Sequence, residues 1–278
     1  MNDLTTEIKK LEIETLDNLK LSKAKNTIRA YRSDYNDFAL FCRKHNLKSL
    51  PSDPKIVSIY LTHLSKHSKF STLKRRLASI NMMHKYKGHY LDTKHPIIVE
   101  NLMGIKRQIG VYQKAKKPLL FNDIKAIIEQ INESSENSSK KQRDKALILV
   151  GFAGGFRRSE LVSITKNDVE FVKEGVKIFI KKSKSDQSGE GMTKAIPSFK
   201  YTDYCPVENL RLWLFENKND RIFPISDKNV ALIIKKYALQ AGFDDKKYAG
   251  HSLRSGFATT TAEFGASERN IMAMTGHK

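Results

Sequence analysis

One change of hydrophobic period constrains the fold of this 278-residue chain more than any other feature. Through the first 109 residues, apolar side chains recur at three- and four-residue steps, the spacing that lines one face of an α-helix. Ile28, Tyr31, Tyr35, Phe38 and Phe41 make one such series. Ile56, Ile59, Tyr60, His63 and Leu64 make a second, and Leu73, Leu77, Ile80 and His84 a third. Val99, Leu102 and Ile105 make a fourth, within Pro96 to Ile109. Turn formers separate them, notably Leu50-Pro51-Ser52-Asp53-Pro54 and Gly88. Only at Val169–Val172 and Val176–Ile180, around Lys173-Glu174-Gly175, does the pattern become that of a hairpin. A further strand is expected near Thr193–Ile196. The surrounding segments are helical: Phe121–Ile131, a strongly apolar Arg143–Phe152 ending at Gly154-Gly155, and the chain after Pro206. Loops are expected at 132–139, 217–224 and 242–248. The spacing predicts a mainly α protein with a small antiparallel sheet. Residues 1–22 form an acidic arm or short amphipathic helix, 23–109 an all-α bundle, 110–118 a basic linker and 119–278 an α+β domain.

Charge narrows the partners. The formal net charge is +20. Residues 18–117 hold 22 basic and 5 acidic side chains, and residues 118–278 hold 26 and 20. A hundred residues so unbalanced repel themselves, which points to a polyanion, nucleic acid first. Lysine enrichment from a low-GC genome is the plain alternative. The longest apolar stretch, around Ala146–Ala153, is far short of the ~20 residues that cross a bilayer. The first twenty residues are charged throughout, unlike a secretory signal. Two distant cysteines, Cys42 and Cys205, can build neither a disulfide framework nor a cysteine-rich zinc site.

Three clusters of basic and imidazole side chains carry the chemistry. Gly155-Phe156-Arg157-Arg158-Ser159-Glu160-Leu161 follows the apolar helix. His251-Ser252-Leu253-Arg254 opens a later one, where a three-residue spacing can point both end residues into one site. Gly276-His277 closes the series, and Lys181, Lys182 and Lys184 follow the hairpin. Arginines, histidines and a lysine without a carboxylate pair suit a phosphodiester. A guanidinium donates paired hydrogen bonds to phosphate oxygens and stays charged. Phosphoryl transfer spreads negative charge over those oxygens. Imidazole can share a nucleophile's proton, and an ammonium can protonate a leaving oxygen. Each group also has an ordinary reading: Arg157 pairing with Glu160, the lysines as a solvated loop, His277 as a helix-end contact.

In order and setting, these boxes resemble the tyrosine recombinase (phage integrase) family. The first box reads roughly G-x-R-x-S/G-E-L there, and H-x-x-R and G-H follow in sequence. Asn26-Thr27-Ile28-Arg29-Ala30-Tyr31 and Ser71-Thr72-Leu73-Lys74-Arg75-Arg76-Leu77 are similar to stretches of that family's helical core-binding (SAM-like) domain. The likeness covers roughly residues 20–278. The resemblance implies that Arg157 and Arg254 clamp a scissile phosphate. It makes Lys184, with Lys182 as runner-up, the acid for the 5′-hydroxyl. His251 assists proton transfer, His277 supports the transition state, and Glu160 orients its neighbours. It implies double-stranded DNA as partner, held in a two-domain clamp with Lys74, Arg75 and Arg76 among the contacts. It further implies a homotetramer on DNA, no metal or other cofactor, no membrane, and a cytoplasmic, DNA-associated location in a bacterial or phage-infected cell.

One element of that pattern is missing. The family's nucleophilic tyrosine follows the residue matched by His277 by about nine positions, and this chain is written to Lys278. None of the ten tyrosines stands there, and Tyr237 and Tyr248 precede the second box. The resemblance therefore implies a phosphate-activating site without its nucleophile. Either the sequence is truncated, or the tyrosine comes from elsewhere, or the protein binds DNA without cleaving it.

Overall fold

The helix starts show how directly local chemistry shapes this chain. Asp53 accepts a hydrogen bond from the amide of Lys55 (2.7 Å) ahead of Pro54, whose missing N–H costs nothing at a first helical position. Asn137 does the same for Lys140 (2.8 Å), and Ser267 for Asn270 (3.3 Å). The structure, a computed structural model, describes residues 7–8, 10–11, 14, 24–111, 116–183, 186 and 189–276. The acidic arm expected at 1–22 falls largely outside these residues. So do Lys184, His277 and part of the expected linker.

The chain divides into two compact units, Met1–Gln113 and Lys114–Lys278. The first unit contains α1 (Lys25–Lys44), α2 (Pro54–Ser65), α3 (Phe70–Tyr86) and α4 (Pro96–Ile109). Helix α1 packs on α3, and α2 on α4. They enclose Phe38, Val57, Tyr60, Leu61, Leu73, Ile80 and Ile98. All four helical series thus supply this core, the fourth through Ile105 with Leu102 packed against it, as their period required. Inside it, His84 is wholly buried and bonds Ser52 N (2.8 Å) and Ile80 O (2.8 Å), so burial lowers its pKa and it serves structure.

In the second unit, α5 (Phe121–Glu133) precedes α6 (Ser138–Ala153), which is buried along its last half from Ala146 to Ala153. Asn137 caps α6, so it begins earlier than its apolar run, within the segment expected to be a loop. A single-turn helix, α7 (Arg158–Leu161), leads to a three-stranded antiparallel sheet in the order β1 (Val169–Val172), β2 (Gly175–Ile180), β3 (Met192–Pro197). Val172 pairs with Gly175, leaving Lys173 and Glu174 as the turn, and Ile178 pairs with Lys194. Four helices follow: α8 (Pro206–Glu216), α9 (Asp227–Gln240), α10 (Ser252–Glu263) and α11 (Glu268–Thr275). Helix α6 is the hub, packing against α5, α8 and α10. Tyr237 of α9 donates to the buried carboxylate of Asp144 on α6 (3.2 Å).

The entry to this unit is stitched onto α10. Lys117 N donates to Lys247 O (2.8 Å) and Leu119 N to Ser252 O (3.0 Å). The approach needs a glycine: a Cβ on Gly256 would stand 1.8 Å from the Leu119 carbonyl. No helix of the described residues is long and apolar enough to cross a membrane.

Candidate active site

The apolar helix α6 ends where it does because Gly154 and Gly155 follow it. Gly155 has φ +54°, a left-handed conformation open to glycine, and a Cβ there would press on Phe257 of α10 (2.8 Å). The turn reverses the chain and places Arg157 at the start of α7. There its backbone N–H donates to Glu160 Oε2 (2.9 Å) and its Nη1 to Glu160 Oε1 (2.6 Å). Glu160 is 2% exposed. The ordinary reading of Arg157 as Glu160's partner is therefore correct as far as it goes. The same guanidinium also reaches the carbonyl of Gly276 (3.4 Å), just after α11.

Arg254 comes from the first turn of α10 and is 6% exposed. Its Nη1 donates to Gly155 O (3.1 Å) and its Nη2 to Thr275 O. Arg254 therefore meets the turn after α6 on one side and the end of α11 on the other, while the Arg157 guanidinium meets Glu160 and the Gly276 carbonyl at that same end. Gly276, with φ +62°, ends α11 in the left-handed conformation and exposes those carbonyls. Burial lowers the Arg254 pKa first, the nearby Arg157 charge lowers it further, and Glu160 opposes both. Two arginines 97 positions apart in the chain thus share one locality.

The other sequence candidates are placed unequally. His251 stands at the N-cap position of α10, exposed and one turn before Arg254. Lys182 is exposed just after β2, whereas Lys181 is tied to Asp168 (2.7 Å). Lys184 and His277 lie outside the described residues. Between β2 and β3, the Asp186 carboxylate accepts from the amides of Gly189 (2.9 Å), Glu190 (3.2 Å) and Gly191 (2.8 Å). Tyr237 and Tyr248 are buried, and burial raises both pKa values, that of Tyr237 to about 12 with Asp144 adding to the shift. Neither can act as a surface nucleophile. Among the described residues no group of three His, Cys, Asp or Glu could hold a metal ion.

In the first unit, the three cations singled out on α3 differ. Arg75 pairs with Asp34, a carboxylate 3% exposed. Arg76 pairs with Asp34 (3.3 Å) and Asp37 (3.2 Å). Lys74 is exposed, has no carboxylate partner among the described residues, and lines an open hollow of about 630 Å³ together with Lys66, Lys69 and Lys106.

Sequence reasoning missed Lys194. It lies on β3, wholly buried, with Nζ donating to Gly154 O (2.8 Å) and Gly155 O (3.2 Å). It stands 4.5 Å from the centre of the Phe156 ring and 3.9 Å from Glu160 Oε2. Strand parity carries the signal, because Lys194 is two residues from the buried Ile196 and so faces inward with it.

The second unit thus brings two arginines to one locality on an α+β scaffold, next in the chain to an all-helical unit. The comparisons show the family. Residues 119–278 match the phage integrase family, and residues 14–89 match the phage integrase N-terminal SAM-like domain. The integrase/recombinase xerD homolog of Selenomonas ruminantium is 37% identical over 97% of this chain and 83% of its own length. The tyrosine recombinase XerD of Yersinia pestis is 27% identical over 93% and 85%. Among solved structures, the Tn1549 transposon integrase in complex with transposon right end DNA matches with a TM-score of 0.63 at 14% identity, over 92% of this chain and 86% of that one. A lambda integrase tetramer bound to a Holliday junction matches at 0.60 and 16%, over 92% and 72%, a likeness of fold. The chain belongs to the phage integrase family of tyrosine recombinases.

Proposed function

We propose that this protein is a site-specific DNA recombinase or integrase, and that Arg157 and Arg254 hold the scissile phosphate. The convergence of these two guanidiniums, with one carboxylate between them, is the observation that carries the reading. A tyrosine oxygen attacks phosphorus and forms a 3′-phosphotyrosyl bond while the bond to the 5′-oxygen breaks. Lys184, or Lys182 in its place, gives that oxygen its proton. His251 takes or shares the tyrosine's proton, and His277 donates to a non-bridging oxygen. The attack of a 5′-hydroxyl on the phosphotyrosine reverses the step, so the bond energy is kept and no metal or nucleotide cofactor enters.

Double-stranded DNA is the partner. Lys74 is the best placed of the three α3 cations to meet phosphates, and Arg75 and Arg76 do so at the edge of their ion pairs. Assembly is as a homotetramer on DNA, in a DNA-associated, cytoplasmic setting. Related folds solved in complex with DNA, one of them a lambda integrase tetramer on a Holliday junction, support this reading of partner and assembly.

The family's position for the nucleophile falls beyond Lys278, the last residue of the chain as written. Extending it by a tail with a tyrosine about nine positions after His277 supplies the test. A nicked suicide substrate of the cognate site traps a covalent adduct with the extended protein. Losing one preorganised arginine lowers its formation by about 10²–10³. The second reading is a non-catalytic DNA-binding protein of recombinase ancestry. That reading is upheld by tight, specific binding that survives Arg157→Ala with Arg254→Ala and by the absence of an adduct.

A further inference from the structure

We propose that Lys194 is a positioning residue of the arginine site, an enclosed ammonium that holds the Gly154–Gly155 turn so that Arg157 and Arg254 face one tetrahedral oxyanion together. The inference deepens the phosphodiester reading of that site and rests on it. Lys194 does not touch the reacting atoms. It is fully enclosed, and both of its hydrogen bonds run inward to carbonyls of the chain segment that carries Arg157.

The geometry is a shared-acceptor network. Gly155 O accepts from Lys194 Nζ (3.2 Å) and from Arg254 Nη1 (3.1 Å). Glu160 holds Arg157 through Oε1 (2.6 Å) and lies 3.9 Å from Lys194 through Oε2. One side chain on β3 thus touches an anchor of each arginine. Removing it frees the Gly154 carbonyl, leaves Gly155 O to Arg254 alone, and lets the turn and the two guanidiniums move independently.

The charge balance makes Lys194 sensitive to what binds. The charged groups facing it among the described residues are Glu160 on α7, Arg157 at its start and Arg254 on α10. Three cations face one carboxylate. Burial first, then the two arginines, lower the Lys194 pKa to about 8, with Glu160 opposing them. An anion held by the arginines adds negative charge and raises that value. By linkage, anion affinity falls as pH rises through about 8 and Lys194 loses its proton. Arginine does not titrate in this range, and a histidine near its ordinary pKa has already lost its proton.

The test uses the full chain with ¹³Cε-labelled lysine and ¹⁵N-labelled arginine, and sulfate as probe, a tetrahedral dianion of constant charge from pH 7 to 9.5. In the wild type, sulfate shifts the Arg157 and Arg254 side-chain signals, raises the titration midpoint of Lys194, and binds more weakly as pH rises. Lys194→Met binds sulfate at least about fivefold more weakly at pH 7 and loses the pH dependence. Lys194→Arg restores affinity at pH 7 but stays flat with pH, a split that a packing role alone would not produce. Wild-type affinity and pH dependence in Lys194→Met overturn the proposal. If Lys194→Met does not fold, an unmoved Lys194 midpoint in the sulfate-bound wild type overturns it equally. If sulfate leaves the wild-type arginine signals unmoved, the phosphodiester reading falls on its own. Positioning is then decided by the Arg254 Nε–H signal, which Lys194→Met broadens if Lys194 fixes the turn and leaves sharp if it does not.

Discussion

The two units each bring a pair of arginines to a buried carboxylate, and the pairs do opposite things. On α3, Arg75 and Arg76 converge on Asp34, and Asp37 adds a second negative charge. Two cations meet two anions, and Ser79 donates another hydrogen bond to Asp34 (2.9 Å). The cluster is closed, and it ties α1 to α3. In the second unit, Arg157 and Lys194 meet Glu160, and backbone carbonyls accept from Lys194 and Arg254. Carbonyls orient a guanidinium without cancelling its charge. The second cluster is therefore organised and still positive, which is what an incoming phosphate requires. The same residue types close one cluster and, in the proposed function, recognise a phosphate in the other, and among the described residues the number of carboxylates separates the two.

The sharpest way to break this contrast is on the reacting side. In the tyrosine-extended protein, Arg254→Ala should lower adduct formation by about 10²–10³, read on a suicide substrate, whereas Arg75→Ala should leave it within a few-fold. Stability gives the converse. Asp34→Ala strands Arg75, leaves Arg76 with Asp37 alone, and should cost roughly 3 kcal/mol in the first unit, measured by denaturant unfolding with a probe in that unit. A loss below about 1 kcal/mol would show that the α3 cluster is not cohesive. A smaller effect separates the cations of α3 themselves. Lys74→Ala should reduce the slope of log affinity against log salt by about 1, and Arg75→Ala by clearly less, because Asp34 already neutralises it.

The smallest effect is a pH trend. The Lys194 pKa is about 8 in the folded protein and near 10.4 in an unfolded chain. Between these values the unfolded chain binds a proton that the folded one does not, so folding gains stability as pH rises. Compared with Lys194→Met, the wild type should therefore be at its greatest disadvantage below pH 8 and recover toward pH 10, by thermal melts of the two proteins in parallel.

Much of the architecture was legible because it is local. The Pro54 and Pro96 helix starts, the Lys173-Glu174 turn and the stop at Gly154-Gly155 each depend on a few neighbouring residues, and they stand where the periodicity set them. The start of α6 was not read, since Asn137 caps a polar first turn that carries no apolar signal. The arginine boxes were legible as spelling, although their convergence depends on α11 returning its carbonyls to the same place. Ion pairing of Asp34 with Arg75 spans 41 positions and leaves no trace in either local pattern. Lys194 was hidden for another reason. Lysine is expected at the surface, and only the parity of a strand six residues long says otherwise.

The stitch between Leu119 and Ser252 gives experimenters a listening post. That single amide is satisfied by the carbonyl two residues before Arg254, so its exchange with solvent deuterium reports whether the beginning of α10 is intact. It can be followed in any variant, at any pH, without placing a label on either arginine.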